Sequence, residues 1–540
     1  MDNMDKSTKA LKDFDIALSL NQRAISCQLQ SAWEVWGETA PGGRLALNVN
    51  PLNSRGLPSS TRLVAEMEPP TLSFSRTNTA PNEVITSIEL LGGTLNYLSD
   101  GDSVEVPIHK YVLSLRSFLE KRTVSWKQLY AHDEECADGV LEHLQAYQLA
   151  EGQFSIECLF LTLTNKGTLL LPQVALPAGA TLSPEARGKL AECIETWATV
   201  SGINGANGLL LSASVVPRHV KREPSVSMAD YAFRLNKAEV PGVDEDRSNT
   251  LDYLGVAVGG RELPGAGAGL AALCEKQGIW PSYHKADAKG GLFAGVMVLR
   301  KDLYIDHLRN GLSAALKREI DRMAAENAAS PKGRLAHPEL DFLEELRFVR
   351  DGDSLFLQGS KTYRWTDNEL KLVLDKQLKL EIKLVQGKVA AIDGLLYSHL
   401  DRDRTTSWDV HSGAKATRKS KIGGTMTLHT DGEAARCSVA PKFQLSFTHL
   451  VGSKDDVGDI SGFVQFFTRI NNDWDVKIAG DWLGASRDAI IAMLQGVFSK
   501  VEVDMNNFAF VLPGEDTFTF RHPELNQFLD LTVDVNYREA

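Results

Sequence analysis

At 540 residues the chain is too long for one hydrophobic core, which points to roughly two to four domains. It is 43% hydrophobic and 24% charged, ordinary for a globular protein, and carries a net charge of -12. That balance excludes general nucleic-acid binding, which needs a broad basic surface. The opening MDNMDKSTKALKDFD is polar and mixed in charge, unlike a signal peptide. No apolar run approaches the ~18 residues of a membrane-spanning helix. The expected location is the cytoplasm of the producing cell, with or without later release. The cysteines Cys27, Cys136, Cys158, Cys193, Cys274 and Cys437 lack CxxC spacing and read as unpaired thiols in a reducing compartment.

The first patterned stretch is Asp13 to Trp36. Phe14, Ile16, Leu18 and Leu20 alternate with Asp15, Ala17 and Ser19, the pattern of a half-buried strand. At Asn21 the period becomes helical. Asn21 is a good N-cap, and Ile25, Leu29 and Trp33 follow at i, i+4, i+8. A Gly-, Pro- and Asn-rich loop runs from Gly37 to Pro58. Strands are expected over Leu63 to Phe74 and Glu83 to Leu98, with a turn at Asp100–Gly101 and alternation resuming at Val104. Lys110 to Leu129 reads either way. Strands return at Phe154 to Leu163 and Thr168 to Leu176. Ser183, Pro184 and Glu185 then open a helix with cap, first-turn proline and acid, over a stripe of Ala186, Leu190, Ile194 and Trp197.

Leu209 to Val216 reads as a strand, and the polar, proline-punctuated Arg218 to Asp246 as a domain boundary. The strand-then-helix pattern recurs from Leu292 to Met323, with Ile305, Leu308, Leu312, Leu316 and Ile320 on one helical face. A weaker version spans Trp474 to Lys500, with Ser486 as N-cap and Ile490, Met493, Leu494 and Val497 beneath. From Phe348 onward strands dominate. Leu378, Leu380, Ile382 and Leu384 alternate with Lys379, Glu381 and Lys383, an antiparallel sheet with one wet face. The reading is an α+β chain, a curved antiparallel sheet closed around a few amphipathic helices. Three units follow: 1–225, a middle segment 226–347, and a β-rich 348–540.

Catalytic motifs are missing. No G-x-S-x-G, H-E-x-x-H or P-loop pattern occurs, so no catalytic residue, cofactor or metal ligand is assigned and the chain is not read as an enzyme. Gly265, Gly267 and Gly269 miss dinucleotide-loop spacing and read as a flexible loop. His337–Pro338–Glu339 and His522–Pro523–Glu524 match half of a deaminase motif without its cysteines, and read as proline turns. His399, Asp401, Asp403, Asp409 and His411 are metal-ligand types. Alternating charges at a hairpin tip give the same composition and are the favoured reading. Against the acidic background, Lys415, Arg418, Lys419 and Lys421 form a basic loop within Ser412 to Gly424 with no acid. It suits either contact with an anionic headgroup or, preferentially, a solvated hairpin with edge-protecting lysines.

Three segments together resemble the tubular lipid-binding (TULIP) superfamily: DFDIALSLNQRAISCQLQSAW, FAGVMVLRKDLYIDHLRNGLSAAL and PGEDTFTFRHPELNQFLDLTVDVNY. With NTLDYLGVAVGGRELPG they are similar to its bacterial branch, typified by accessory proteins of botulinum-neurotoxin gene clusters. The resemblance implies long amphipathic helices wrapped by strongly curved antiparallel sheets, as elongated tubes with an apolar interior. It implies as partners a lipid or hydrophobic small molecule, an anionic membrane surface and other toxin-complex proteins, in an insecticidal-type setting. No defined ligand residues transfer with it. Two functions remain open: non-enzymatic binding of an apolar ligand, and a structural or chaperone role with a filled tube. An apolar cavity wide enough for an acyl chain is expected in at least one tube.

Overall fold

In the computed structural model of the chain, the residues described are 11, 14–27, 29–30, 46–74, 82–132, 134–147, 154–162, 164–165, 168–169, 173–200, 209–217, 228–237, 244–257, 293–329, 340–366, 370–387, 389–405, 411–430, 438–450, 454–457, 487–499, 501, 503–504, 510–511 and 518–537. Among them the chain forms three large antiparallel sheets and few helices, and the sheets curve strongly. The α+β expectation fits this architecture.

The central sheet gathers segments from far apart in sequence. Its strand order is Met228–Asn236, Thr250–Ala257, Ile16–Asn21, Phe293–Leu299, Leu531–Tyr537 and Phe518–Leu525. Ile16–Asn21 pairs on both edges, Leu18 facing Tyr253 on one side and Met297 on the other. Gly295 lets the neighbouring backbone in, since a Cβ there would lie 1.9 Å from the Ser19 carbonyl oxygen.

Alternation predicts one wet face for Ile16–Asn21, and here the structure differs: all six residues are buried. The polar face is not solvated but bonded. Asp15 Oδ2 accepts the Ala257 N–H at 2.9 Å, and Asp15 pairs with Arg300 at 2.7 Å. Ser19 donates to Asp252, which also accepts from Thr250 at 2.7 Å and Arg234 at 2.9 Å. Burying these groups without partners costs free energy, and each partner is distant in sequence from this strand.

Helical residues 22–27 and 29–30 follow the central strand. The Asn21 side chain accepts the Ala24 N–H at 2.7 Å, the expected cap. Ile25 and Leu29 are buried. Trp33 lies outside the described residues. Gln22 and Ser26 accept from the backbone N–H groups of Phe74 and Leu72, so side chains of the helix occupy the free edge of the short strand Thr71–Ser73.

The N-terminal sheet is built on two long strands, Glu83–Ser99 and Asp102–Val124. The register slips where Glu83–Ser99 pairs with Arg62–Met67, between Glu66 opposite Gly92 and Met67 opposite Leu90, and close by Gly93 and Lys110 adopt left-handed backbone at φ 151 and φ 51. Such irregularities bend and twist a strand pair. Lys110 to Leu129, ambiguous from sequence, divides into the rest of that strand and the helix Trp126–His132. The helix Pro184–Val200 starts at the expected cap, with Ser183 Oγ accepting the Ala186 N–H at 3.1 Å. Ala186, Leu190, Cys193 and Ile194 are buried in the core of this sheet. A helix at Glu134–Tyr147, not expected from sequence, buries Ala137, Val140 and Leu144 in a smaller core with Ile156, Cys158 and Phe160. Cys27, Cys136, Cys158 and Cys193 are not in disulfides, as expected; Cys274 and Cys437 lie outside the described residues.

The C-terminal sheet runs Arg347–Asp351, Ser354–Thr366, Leu370–Lys383, Val389–Thr405, His411–Thr430 and Ser438–Leu450, ending on Val503–Asp504. Leu308, Leu312 and Leu316 of the 29-residue helix Lys301–Ala329 are buried, as are Ile490, Met493, Leu494 and Val497 of a helix at 487–499. The strand expected before that second helix and its cap at Ser486 lie outside the described residues, as does the strand expected at 463–470. Phe498 packs on Phe443 and Phe348, with ring centroids at 4.7 and 6.4 Å. One hydrophobic core runs through all three sheets.

Charges tie the C-terminal sheet to the central one around the start of Lys301–Ala329. Asp530 Oδ1 accepts the Lys301 N–H at 2.9 Å, satisfying a free donor of the helix. Lys301 reaches Asp353 at 2.7 Å, and Arg350 donates to Asp302 and, at 3.2 Å, to Asp306. The Gly387 hairpin adds two backbone hydrogen bonds to Leu525, at 2.7 and 2.8 Å. Burial pulls the Asp302 carboxyl upward, but the Arg350 hydrogen bond and the charges of Arg350, Arg300 and Lys301 outweigh it and hold it below the usual range. For Asp530 burial wins over the Lys301 N–H, the Lys301 and Arg300 charges and Asn526, and its carboxyl is raised.

These shifts act on stability with opposite signs. A depressed carboxyl stabilises the fold above its unfolded pKa and loses that stability as pH falls through the folded value. A raised carboxyl contributes stability present below its unfolded pKa and lost as pH rises through the folded value. In thermal unfolding followed across pH, Asp302→Asn is expected to lower Tm at neutral pH and to lose less on acidification than the parent. Asp530→Asn is expected to leave neutral-pH Tm unchanged or raised, because the amide oxygen still accepts the Lys301 N–H without a buried charge.

Candidate ligand-binding interior and basic strand

The interior of the C-terminal sheet is defined by strand alternation. On Leu370–Lys383 the side chains of Leu374, Lys376, Leu378, Leu380 and Ile382 are buried, and those between them are wholly or partly exposed. On Val389–Thr405 the buried set is Ala390, Ile392, Leu396, Ser398 and Leu400. On His411–Thr430 it includes Ser420, Ile422, Met426 and Leu428. The pairing register aligns these residues into rungs across the inner face.

Most rungs are apolar: Leu357, Leu380, Gly394 and Ile422 form one, and Leu355, Ile382, Ile392 and Gly424 the next. One rung is polar. It aligns Lys361, Lys376, Ser398 and Arg418. Lys376 is 2% exposed, and Lys361 pairs with Glu345 at 2.8 Å nearer the rim. Beyond this rung Leu374 and Leu400, with Tyr363 and Leu372, form a cluster separate from the main core. A buried lysine in an otherwise aliphatic wall is the feature that sequence reading passed over, because the alternation of Leu370–Lys383 looked like cations outward and leucines inward.

The basic segment is not a loop. Lys415, Arg418, Lys419 and Lys421 lie within the 20-residue strand His411–Thr430, all paired with Val389–Thr405 on one side, with Lys419 and Lys421 paired on the other with Ser438–Leu450 and Lys415 with Lys454–Val457. The segment carries charge at loop-like density, but two neighbouring strands satisfy its backbone, and that decides its conformation. Alternation separates the cations. Lys419 and Lys421 are exposed on the outer face; Arg418 has the inner parity of Ser420 and Ile422 but, unlike them, is exposed. Lys419 stands 5.7 Å from the Tyr397 ring centroid, and Lys421 lies 3.5 Å from Asp393. Both side chains of that pair are largely exposed, so it is a weak contact.

An open groove of ≈ 970 Å³ runs over this outer face, lined among others by Val349, Lys379, Leu395, Tyr397 and Lys421. Glu381 and Asp393 also line it, so its charge is mixed. A second groove of ≈ 370 Å³ lies at the charged junction, between Arg300, Lys301, Asp353, Phe528 and Asp530.

His399 and Asp401 lie on Val389–Thr405, and the His399 ring nitrogen is 2.8 Å from Thr417 Oγ1. Asp409 lies outside the described residues. Among the described residues no group of three or more His, Cys, Asp or Glu side chains is placed to share an ion. No helix among them is long and apolar enough to cross a membrane.

No protein-family model matches the sequence, and no curated protein matches it. Among solved structures the chain is similar to P47 from Clostridium botulinum A2, over 97% of both chains at 10% identity, with a TM-score of 0.43. It is similar to P47 of Clostridium botulinum E1 over 97% of this chain and 99% of that one, again at 10% identity and a TM-score of 0.43. Against a lipopolysaccharide binding protein the coverage is 98% and 100%, the identity 7% and the TM-score 0.26. Likeness at these values assigns no activity.

Charge reversal of Lys415, Arg418, Lys419 and Lys421 to glutamate is expected to weaken co-sedimentation with anionic vesicles by roughly five-fold per cation that meets the surface. The loss is expected to fade in high salt. Reversal of Lys419 and Lys421 alone should reproduce more of it than reversal of Arg418 alone, because those two share the outer face.

Proposed function

We propose that this protein is a non-enzymatic carrier of a lipid or another apolar ligand held inside a curved sheet. The observation that supports this most is the inner wall of the C-terminal sheet, aliphatic along its rungs and interrupted by the single polar rung of Lys361, Lys376, Ser398 and Arg418. An apolar chain moved from water to such a wall gains roughly 0.8 kcal/mol per buried CH₂. Lys376, buried within that rung, suits the anionic head of an amphiphile at a depth where charge is little screened, with Lys361 and Arg418 nearer to solvent. In this reading long amphipathic helices lie along the tube and form its other wall. Association with a bacterial toxin system belongs to the same proposal and rests on the sequence resemblance.

A second reading has its own observation. Elements inside the C-terminal sheet approach closely: a Cβ on Gly359 would stand 2.9 Å from the Glu345 carbonyl oxygen, and one on Gly496 would stand 3.0 Å from the Glu319 carboxyl carbon. A filled interior of that kind fits an interaction protein that acts through its surface.

Organic extraction of the purified protein, followed by mass spectrometry, separates the two. The carrier reading expects a near-stoichiometric apolar or amphiphilic compound. It also expects Lys376→Gln to reduce the recovery of anionic species several-fold relative to neutral ones. Extracts empty of such compounds, with no uptake on incubation with lipid vesicles, would leave the interaction reading in place.

A further inference from the structure

Among the described residues, the most exposed large hydrophobic side chains lie at the N-terminal sheet. Leu52 is 63% and Leu57 59% exposed, on the loop between the strands Ala46–Val49 and Arg62–Met67. Nothing in the interior reading uses them. Leu98, 50% exposed, stands at the hairpin of Glu83–Ser99 and Asp102–Val124. The register puts both features at one end of the N-terminal sheet. Val49 pairs with Leu63, Leu63 with Leu95, and Ser99 with Asp102 at the hairpin tip beyond.

The loop is closed on itself. The Asn53 N–H donates to the Leu57 carbonyl at 2.7 Å, and the Gly56 N–H to the Asn53 carbonyl at 2.9 Å. The Ser59 N–H donates to the Pro51 carbonyl at 2.7 Å. The Asn53 side-chain oxygen accepts the N–H groups of Arg55 and Leu57, at 2.9 and 3.2 Å. Gly56 supplies the left-handed turn at φ 75. The loop therefore holds two leucines outward while most of its backbone donors are already satisfied.

We infer that this tip inserts Leu52 and Leu57 into the interfacial layer of a lipid bilayer. A bilayer accepts a projecting apolar segment more readily when its backbone polar groups are bonded internally, and most donors of this loop are. A protein partner fits less well. Two leucines on a convex loop offer far less than the roughly 800 Å² per partner of a stable protein interface. Arg55 sits between the leucines at headgroup depth. Asp100, Asp102 and Glu185 lie at the same end, so net charge does not draw the tip to the surface. Insertion should consequently depend on apolar burial and persist in high salt, unlike any attraction through Lys419 and Lys421.

The test is co-sedimentation of the full chain with phosphatidylcholine vesicles at high ionic strength. Leu52→Asp/Leu57→Asp is expected to lose about ten-fold or more in partitioning, from the removal of two partly buried leucines. Both side chains are exposed in the fold, so its Tm should match the parent. Leu57→Trp keeps the apolar tip and reports depth: its added fluorescence should be quenched by brominated phosphatidylcholine. Equal partitioning of the double variant, no quenching of Leu57→Trp, or no binding of the parent to these vesicles would each overturn the inference. So would a shift of the parent from a larger assembly to a monomer on Leu52→Asp/Leu57→Asp, which would make the tip a contact between copies. None of these results depends on whether the interior holds a ligand.

Discussion

Arg300 is largely buried, and a buried guanidinium is stable only with partners. It finds them at Asp15, 2.7 Å away, and at Asp302, 3.4 Å away. The same residue opens the helix Lys301–Ala329, and its own N–H donates to the Asp15 carbonyl at 2.9 Å. So the first described strand, the middle of the chain and a long helix meet at one ion pair. Asp530 enters beside it through the Lys301 N–H. The central sheet thus joins the chain's early, middle and late segments, and the other two sheets grow outward from it. Removing one partner of such a pair would leave a charge uncompensated in the interior, which is far more costly than losing a surface contact.

That arrangement explains why both outer sheets can curve. Each is stabilised at its inner face by helices and at one end by the central sheet, so neither needs to close on its own edge. The edge strand Thr71–Ser73 is covered by Gln22 and Ser26, and the hairpin at Gly387 is fastened to Leu525. Curvature leaves an inner wall of aliphatic side chains and an outer wall of mixed charge. The proposed function rests on that division, with the amphiphile assigned to the apolar interior and membrane contact to the outer and terminal surfaces.

Local features were legible in the sequence wherever the physics is local. The caps at Asn21 and Ser183, the stripe Leu308–Leu312–Leu316 and the alternation from Leu378 to Leu384 all act within a turn or a strand. What was not legible depends on pairing across long separations. Asp15 and Ser19 looked solvated, because nothing near them in sequence announces Ala257, Arg300 or Asp252. The basic segment looked like a loop, because its strand conformation is imposed by two neighbours. The helix Glu134–Tyr147 did carry a signal, since Ala137, Val140 and Leu144 sit at helical spacing; it was simply short. For the candidate site, the four cations were visible but their division between two faces was a matter of register. Lys376 was visible only as one more lysine among leucines. The exposed leucines of the Asn53 loop stood in a stretch that composition marks as a loop and says no more about.

The central claim is that the three sheets form one cooperative body around Ile16–Asn21. Native-state hydrogen exchange measures this most directly. The amides of Ile16–Asn21 in the central sheet, of Leu113–Phe118 in the N-terminal sheet and of Leu378–Ile382 in the C-terminal sheet should exchange only through global unfolding, with the same free energy and the same dependence on denaturant. Exchange of Ile16–Asn21 through a separate opening of lower free energy, while the C-terminal sheet stays protected, would contradict it.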